Sequence, residues 1–338
     1  MNAEGLGVTL VAGLLGGSVF APLKLLRSWK FEKSWALYSV CAYLIMPWLV
    51  AMATIPHLFN IYSRVSSRTA IICAACGLGW GIAVVLVGLS VKLVGLSLAT
   101  AIIYGSSIAV GSLGPVLISS PGRLFTNQGV LLILADLGII LGVLLCIYAG
   151  SKRGAPRQLE GNIVQPASSH RDFIRGLVAS IFAAILSSLF NIALAYGGEF
   201  NRLSVLAGAG PLNATNALWA FTVSFGYIPN VLVTIVTFTR NGLWSDLSRG
   251  PISHWIGPPI MGVAWIGGTV LYGAGAELLG NLGPVIGWPV YMSMAITTGV
   301  FWGWITGEWK HAPQSALRLL TAGLLFQLVC IAALGAVA

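Results

Sequence analysis

Between Leu282 and Thr306 no side chain carries a charge. At about 1.5 Å of rise per residue, a helix of that length crosses about 30 Å of hydrocarbon, so the run is a predicted membrane span. It opens with Gly283, Pro284, Gly287 and Pro289. Each proline removes a backbone donor and frees a carbonyl upstream. Lipid cannot satisfy such a group, so the broken backbone is expected to be buried in protein or to line a wet cavity. The span is a candidate wall of a solute pathway.

The rest of the chain repeats the pattern. Apolar runs of about 20 residues fall near 5–25, 35–55, 68–91, 94–118 and 127–150, then near 172–197, 212–239, 253–275, 282–306 and 313–337. These predict an all-α polytopic membrane protein with ten transmembrane helices in two sets of five. The first set occupies 1–150 and the second 172–338, joined by a polar cytoplasmic linker at 151–171. Charged residues make up only 8% of the chain, too few to cover a water-facing surface. The net charge of +9 therefore does not point to nucleic acid, because the positive residues sit in short loops beside apolar runs and set orientation instead. Loops after odd-numbered spans hold 14 of the 18 Lys and Arg, and the opposite side holds Arg64, Arg68, Arg123 and Arg202. The odd loops are thus expected in the cytoplasm, with both termini periplasmic and the protein in the cell inner membrane. Met1 to Glu4 has no basic residue, and the run that follows is longer than a signal-peptide core, so it reads as a retained first span. The five cysteines all lie in apolar runs, and Cys73-Ala-Ala-Cys76 reads as packing.

An internal repeat supports the division. At a fixed offset of 185 residues Trp80 matches Trp265, Gly88 matches Gly273, Leu93 matches Leu278, Gly95 matches Gly280, Gly114 matches Gly299 and Gly138 matches Gly323. Spans three to five thus align with spans eight to ten. Five spans is an odd number, so the second set is inverted relative to the first. Inverted repeats are the architecture of alternating-access carriers, with solute bound near the midplane.

Phe20-Ala-Pro-Leu-Lys24, Trp29-Lys30, Glu32, Trp35, Pro47-Trp48, Trp80-Gly81-Ile82, Gly88-Leu89, Gly95, Ser97 and Glu308-Trp309 together resemble the bacterial L-rhamnose/proton symporter family of the drug/metabolite transporter superfamily. The resemblance implies a sugar as solute and a proton as coupling cation. Where that family has asparagines this chain has Val84 and Leu86, and Gly283 to Pro289 stands where the family has a Tyr-Asp pair. These departures leave the substrate open.

A sugar has apolar C–H faces and a rim of hydroxyls, so its pocket wants flat aromatic rings with a few amide or hydroxyl partners. Trp80, Trp265 and Trp288 are candidates for the first role, and Asn191, Asn230, Asn281 and Tyr291, with Asn213, Asn216, Tyr104 and Ser106 behind them, for the second. Trp29, Trp35, Trp244, Trp255 and Trp309 are assigned to the interfacial belt. Asp136 lies mid-span, where a carboxyl costs about 2.5 to 3.5 kcal/mol unless it faces the protein interior, and is the candidate ion-coupling residue. Four small-xxx-small patterns, Gly13 to Gly17, Gly77 to Gly81, Gly138 to Gly142 and Gly303 to Gly307, predict close helix contacts. The sequence has no catalytic constellation, no histidines at metal-ligand spacing and no phosphate-binding loop. The expectation is a cofactor-free secondary carrier in the lipid bilayer, not an enzyme, that moves a small polar solute such as L-rhamnose with a proton. The alternatives are a uniporter or exporter of another sugar or metabolite, or a non-transporting sensor or structural protein on the same fold.

Overall fold

A chain that is apolar over such lengths must close its backbone hydrogen bonds internally, and it does so as helix. The computed structural model describes residues 3–24, 30–94, 96–119, 121–152, 170–246, 252–280, 283–307, 309–310 and 312–337. In chain order the helices are α1 (Ala3–Ser18), α2 (Phe31–Val40), α3 (Met46–Thr54), α4 (Leu58–Arg64), α5 (Ser67–Val94), α6 (Leu96–Ser119) and α7 (Asn127–Lys152). They continue with α8 (His170–Ser187), α9 (Leu189–Tyr196), α10 (Gly198–Leu206), α11 (Asn216–Arg240), α12 (Ile252–Leu279), α13 (Trp288–Ile305) and α14 (Gln314–Val337). No strand occurs among the described residues. Seven helical segments of the described residues are long and apolar enough to cross a membrane, and two shorter apolar stretches are Ala3–Ser18 in α1 and Gln314–Cys330 in α14. Helix α7 shows the lipid-facing design: Leu134, Leu137, Leu141 and Leu144 point outward while Ala135, Asp136, Ile139 and Cys146 are buried.

Two segments are widened by π-turns, at Cys41–Ile45 and Gly283–Gly287. Each leads into a helix whose second residue is proline, Pro47 in α3 and Pro289 in α13. A proline ring clashes with the carbonyl four residues before it, and the wider turn relieves that clash. Helices also reach into both ends of the stretch read as a linker, since α7 runs to Lys152 and α8 begins at His170.

Glycine seams set the packing. A Cβ at Gly77 would collide with the Thr222 carbonyl, and one at Gly81 with the Gly226 carbonyl, so α5 and α11 touch backbone to backbone. Gly13 and Gly17 bring α1 against α13, and Gly138 and Gly142 bring α7 against α14. The fourth pattern is corrected. Gly307 has φ +80° with no atom within 4 Å of an added Cβ, so it stops α13 rather than packing it. Trp309, assigned to the interfacial belt, is buried instead.

The helices interlock across the midpoint of the chain. Helix α1 packs on α12 and α13, whereas α8 and α9 pack on α5 and α6. Helix α11 lies on α5, α2 and its π-turn lie on α12, and α7 pairs with α14. At one end the early and late parts of the chain are tied in water. The Ser66 backbone N–H and hydroxyl donate to the Glu199 carboxylate at 3.1 and 2.6 Å. Hydrogen bonds from Ser66 and Thr69 hold that carboxyl below its ordinary value.

Two measurements follow from this packing. Gly81→Ala is expected to lower the thermal unfolding midpoint in detergent, at a cost of about 1–3 kcal/mol for overpacking. Gly7→Ala, which has open space around it within α1, should not lower the midpoint and is expected to raise it slightly. The Glu199 tie has a depressed folded pKa, so its contribution is present above the unfolded value near 4.5 and is lost as pH falls through the lower folded value. Midpoints of the wild type and Glu199→Gln should therefore differ at pH 7 and converge as pH drops below 4.5.

Candidate solute site

Asn191 lies three residues beyond the break at Ser188 that separates α8 from α9, and it is fully buried. Its amide donates to the Gly111 carbonyl at 2.8 Å and to the Pro284 carbonyl at 2.9 Å. Its own carbonyl accepts the Tyr272 hydroxyl. One side chain thus joins α9 to α6, α12 and the π-turn before α13. The Ser107 carbonyl next to this hub accepts two donors, the Ser188 hydroxyl at 3.1 Å and the Trp288 indole N–H at 2.9 Å. Gly111 makes room for this arrangement, because any side chain there would collide with the Trp288 indole.

Aromatic rings surround the hub. Trp80 and Trp265 meet at 5.4 Å between centroids, and Tyr43 stands edge-on to both at 5.1 Å. Phe190 tilts against Trp80 at 5.3 Å and stacks on Trp219 at 4.5 Å with 6° between planes. Tyr272 touches Tyr291 at 5.1 Å and Trp288 at 5.7 Å. The result is a continuous aromatic wall running from Tyr43 to Tyr291. The Tyr43 hydroxyl donates to the Tyr38 hydroxyl at 3.0 Å, and the hydroxyls of Tyr104 and Tyr291 bond to none of the described residues. Flat rings with free phenols and no charged side chain among them suit an uncharged, hydroxylated solute.

Trp80, Trp265, Trp288, Tyr291 and Asn191, named from the sequence, therefore come together. Asn230 and Asp136 are not among them. Asn230 donates to the Gly81 and Gly226 carbonyls at 3.2 and 3.1 Å, closing the α5–α11 crossing. Asp136 is buried on α7, a helix that packs on α14 and α6 and carries none of the rings of the aromatic wall. Asn281 lies outside the described residues. Among the described residues no three His, Cys, Asp or Glu side chains gather as metal ligands.

Sequence reasoning missed Tyr38, Tyr43, Phe190, Trp219 and Tyr272. Tyr38 and Tyr43 are five residues apart, about 140° around an α-helix, and their hydroxyls meet where the chain widens into a π-turn. Phe190 offered a signal, as the last residue of Ser188-Leu189-Phe190, which echoes Ser18-Val19-Phe20.

The profile of the L-rhamnose-proton symport protein (RhaT) family matches residues 2–338. The chain belongs to this family. It is a family of transporters rather than enzymes, and the apolar helices agree with a multi-pass membrane protein. Among its relatives, the L-rhamnose-proton symporter of Mannheimia succiniciproducens is 24% identical over 90% of this chain and 89% of its own length. Those of Cronobacter sakazakii and Escherichia coli K12 are each 23% identical over 95% of this chain and 94% of their own. A solved crystal structure superposes over 98% of both chains with a TM-score of 0.55 at 14% identity, which establishes a shared fold alone.

Tyr272→Phe would leave the buried Asn191 carbonyl oxygen without this donor, a loss of about 1–3 kcal/mol. It should lower the thermal midpoint clearly more than Tyr291→Phe, which removes a hydroxyl that bonds to none of the described residues.

Proposed function

We propose that this chain is a proton-coupled carrier of a neutral sugar, L-rhamnose first among them, working by alternating access in the inner membrane. The observation that carries the reading is the uncharged aromatic site around Asn191, in a chain whose family relatives are named L-rhamnose-proton symporters. The rings of Trp80 and Trp288 take the apolar faces of the sugar. Tyr291 and its neighbouring phenols meet the hydroxyls, while Asn191 closes the site and Asn230 braces the α5–α11 crossing that carries Trp80. Asp136 carries the coupling proton.

The proposed frame is ten spans in two inverted repeats, 1–150 and 172–338, with the segment between them and the other odd loops in the cytoplasm and both termini in the periplasm. The packing supports it. The first span of each half packs on the third and fourth spans of the other half, as a two-fold axis in the membrane plane requires. Residues on such an axis touch their own counterparts. Trp80 meets Trp265, and Gly142 meets Gln327, both pairs at the offset of 185 found in the sequence.

The test is uptake of radiolabelled L-rhamnose into proteoliposomes, with and without an inward proton gradient, against a panel of competing sugars. The gradient should stimulate uptake, and Asp136→Asn should abolish gradient-driven accumulation while sparing counterflow. Undiminished accumulation in Asp136→Asn removes Asp136 from coupling. Uptake that another sugar drives and L-rhamnose does not reassigns the substrate.

A further inference from the structure

In an α-helix the carbonyl of residue i accepts the N–H of residue i+4, and across a π-turn that of i+5. Two carbonyls near the site lose those donors to proline. Pro115 continues α6 without an N–H and so leaves the Gly111 carbonyl open. Pro289 follows the π-turn at Gly283–Gly287 and leaves open the Pro284 carbonyl, five residues upstream. Both open carbonyls are taken by a single side chain, the amide of Asn191, at 2.8 and 2.9 Å. Neither amide hydrogen is left for a solute, and the amide oxygen already accepts the Tyr272 hydroxyl.

The two broken segments flank one ring. The π-turn ends at Gly287, immediately before Trp288. Gly111 lies against the Trp288 indole, whose N–H reaches the Ser107 carbonyl one turn earlier in α6. Fixing Gly111 and Pro284 to one amide therefore fixes where the Trp288 ring stands in the aromatic wall.

We infer that Asn191 is a positioning residue rather than a solute ligand: it is the shared donor for the two carbonyls that Pro115 and Pro289 leave open, and it holds both broken spans in register around Trp288. Its consequence for transport rests on the carrier reading above, but the hydrogen-bond role does not. Proline replacement makes the role separable, because alanine at 115 or 289 returns the missing N–H to its own helix. A donor from Asn191 is then no longer needed.

The experiment compares Asn191→Ala in four backgrounds: native, Pro115→Ala, Pro289→Ala and both together. In each we would measure the thermal midpoint in detergent and the Trp288 contribution to fluorescence, taken as the difference from the same protein carrying Trp288→Phe. Asn191→Ala should lower the midpoint and shift the Trp288 emission in the native background, with each proline replacement removing part of both effects and the pair removing most. If Asn191→Ala accumulates only in the replaced backgrounds, that rescue is the same result. Equal loss in all four backgrounds, including failure to fold in all four, overturns the proposal. So does a midpoint rescued with no change in Trp288 emission, which would leave Asn191 a packing residue. Uptake of L-rhamnose per folded carrier is the separate arm. A loss of about tenfold in the native background, as expected for a buried carbonyl left unpaired, should shrink to about threefold or less when both prolines are replaced. An uptake loss that persists beside a rescued midpoint means direct solute contact and also overturns the proposal. Absence of uptake by the wild type rejects the carrier reading, while the midpoint and emission still decide the hydrogen-bond role.

Discussion

A backbone carbonyl inside a membrane span has no water to accept from, and every break in a helix there must find a donor within the protein. This chain breaks its helices near its centre and resolves the breaks with side chains from distant segments. The Asn191 amide closes the carbonyls of Gly111 and Pro284, and the Trp288 and Ser188 side chains converge on the carbonyl of Ser107. The aromatic wall stands on this network. Remove it and Trp288 and Tyr272 lose the contacts that orient them, although their apolar burial is unchanged.

The same constraint explains why the site is uncharged. A carboxylate among the rings would carry a desolvation cost that only an ion pair or metal offsets, whereas phenols and indoles satisfy one another and the backbone at little cost. The buried carboxyl of the described residues, Asp136, lies on α7, which carries none of the wall's rings. Solute recognition and proton binding would then be carried on different helices, and coupling between them would pass through α6, which packs against both α7 and α13.

Glycine makes the interlocked packing possible. Hydrophobic association gives little drive between helices in lipid, so close approach and dispersion take its place. Gly77 and Gly81 let α5 touch the backbone of α11, and Gly13 and Gly17 do the same for α1 and α13. Each contact joins an early segment to a late one, which makes the two parts of the chain a single packed body. The glycine at 307 had the same spacing in sequence but a left-handed backbone, so it ends a helix instead.

Much of this was legible in the chain itself. Length and lack of charge determined the helices, because apolar backbone in lipid has few other ways to satisfy its polar groups. Pro284 and Pro289 marked the break without any knowledge of packing, since a missing N–H is a covalent fact. Trp80, Trp288, Tyr291 and Asn191 could be named as candidates by residue type, and the structure brings them together. What only the tertiary structure decided was which donor closes which carbonyl and which rings share a wall. The partners of Asn191 lie 80, 93 and 81 residues away along the chain, beyond any local periodicity. Tyr38 and Tyr43 met only because a π-turn shifted their phase, and Asn230 turned inward to a helix crossing because the Gly81 carbonyl lay within its reach. Local sequence sets where the backbone must be rescued; the packing of remote helices sets what rescues it.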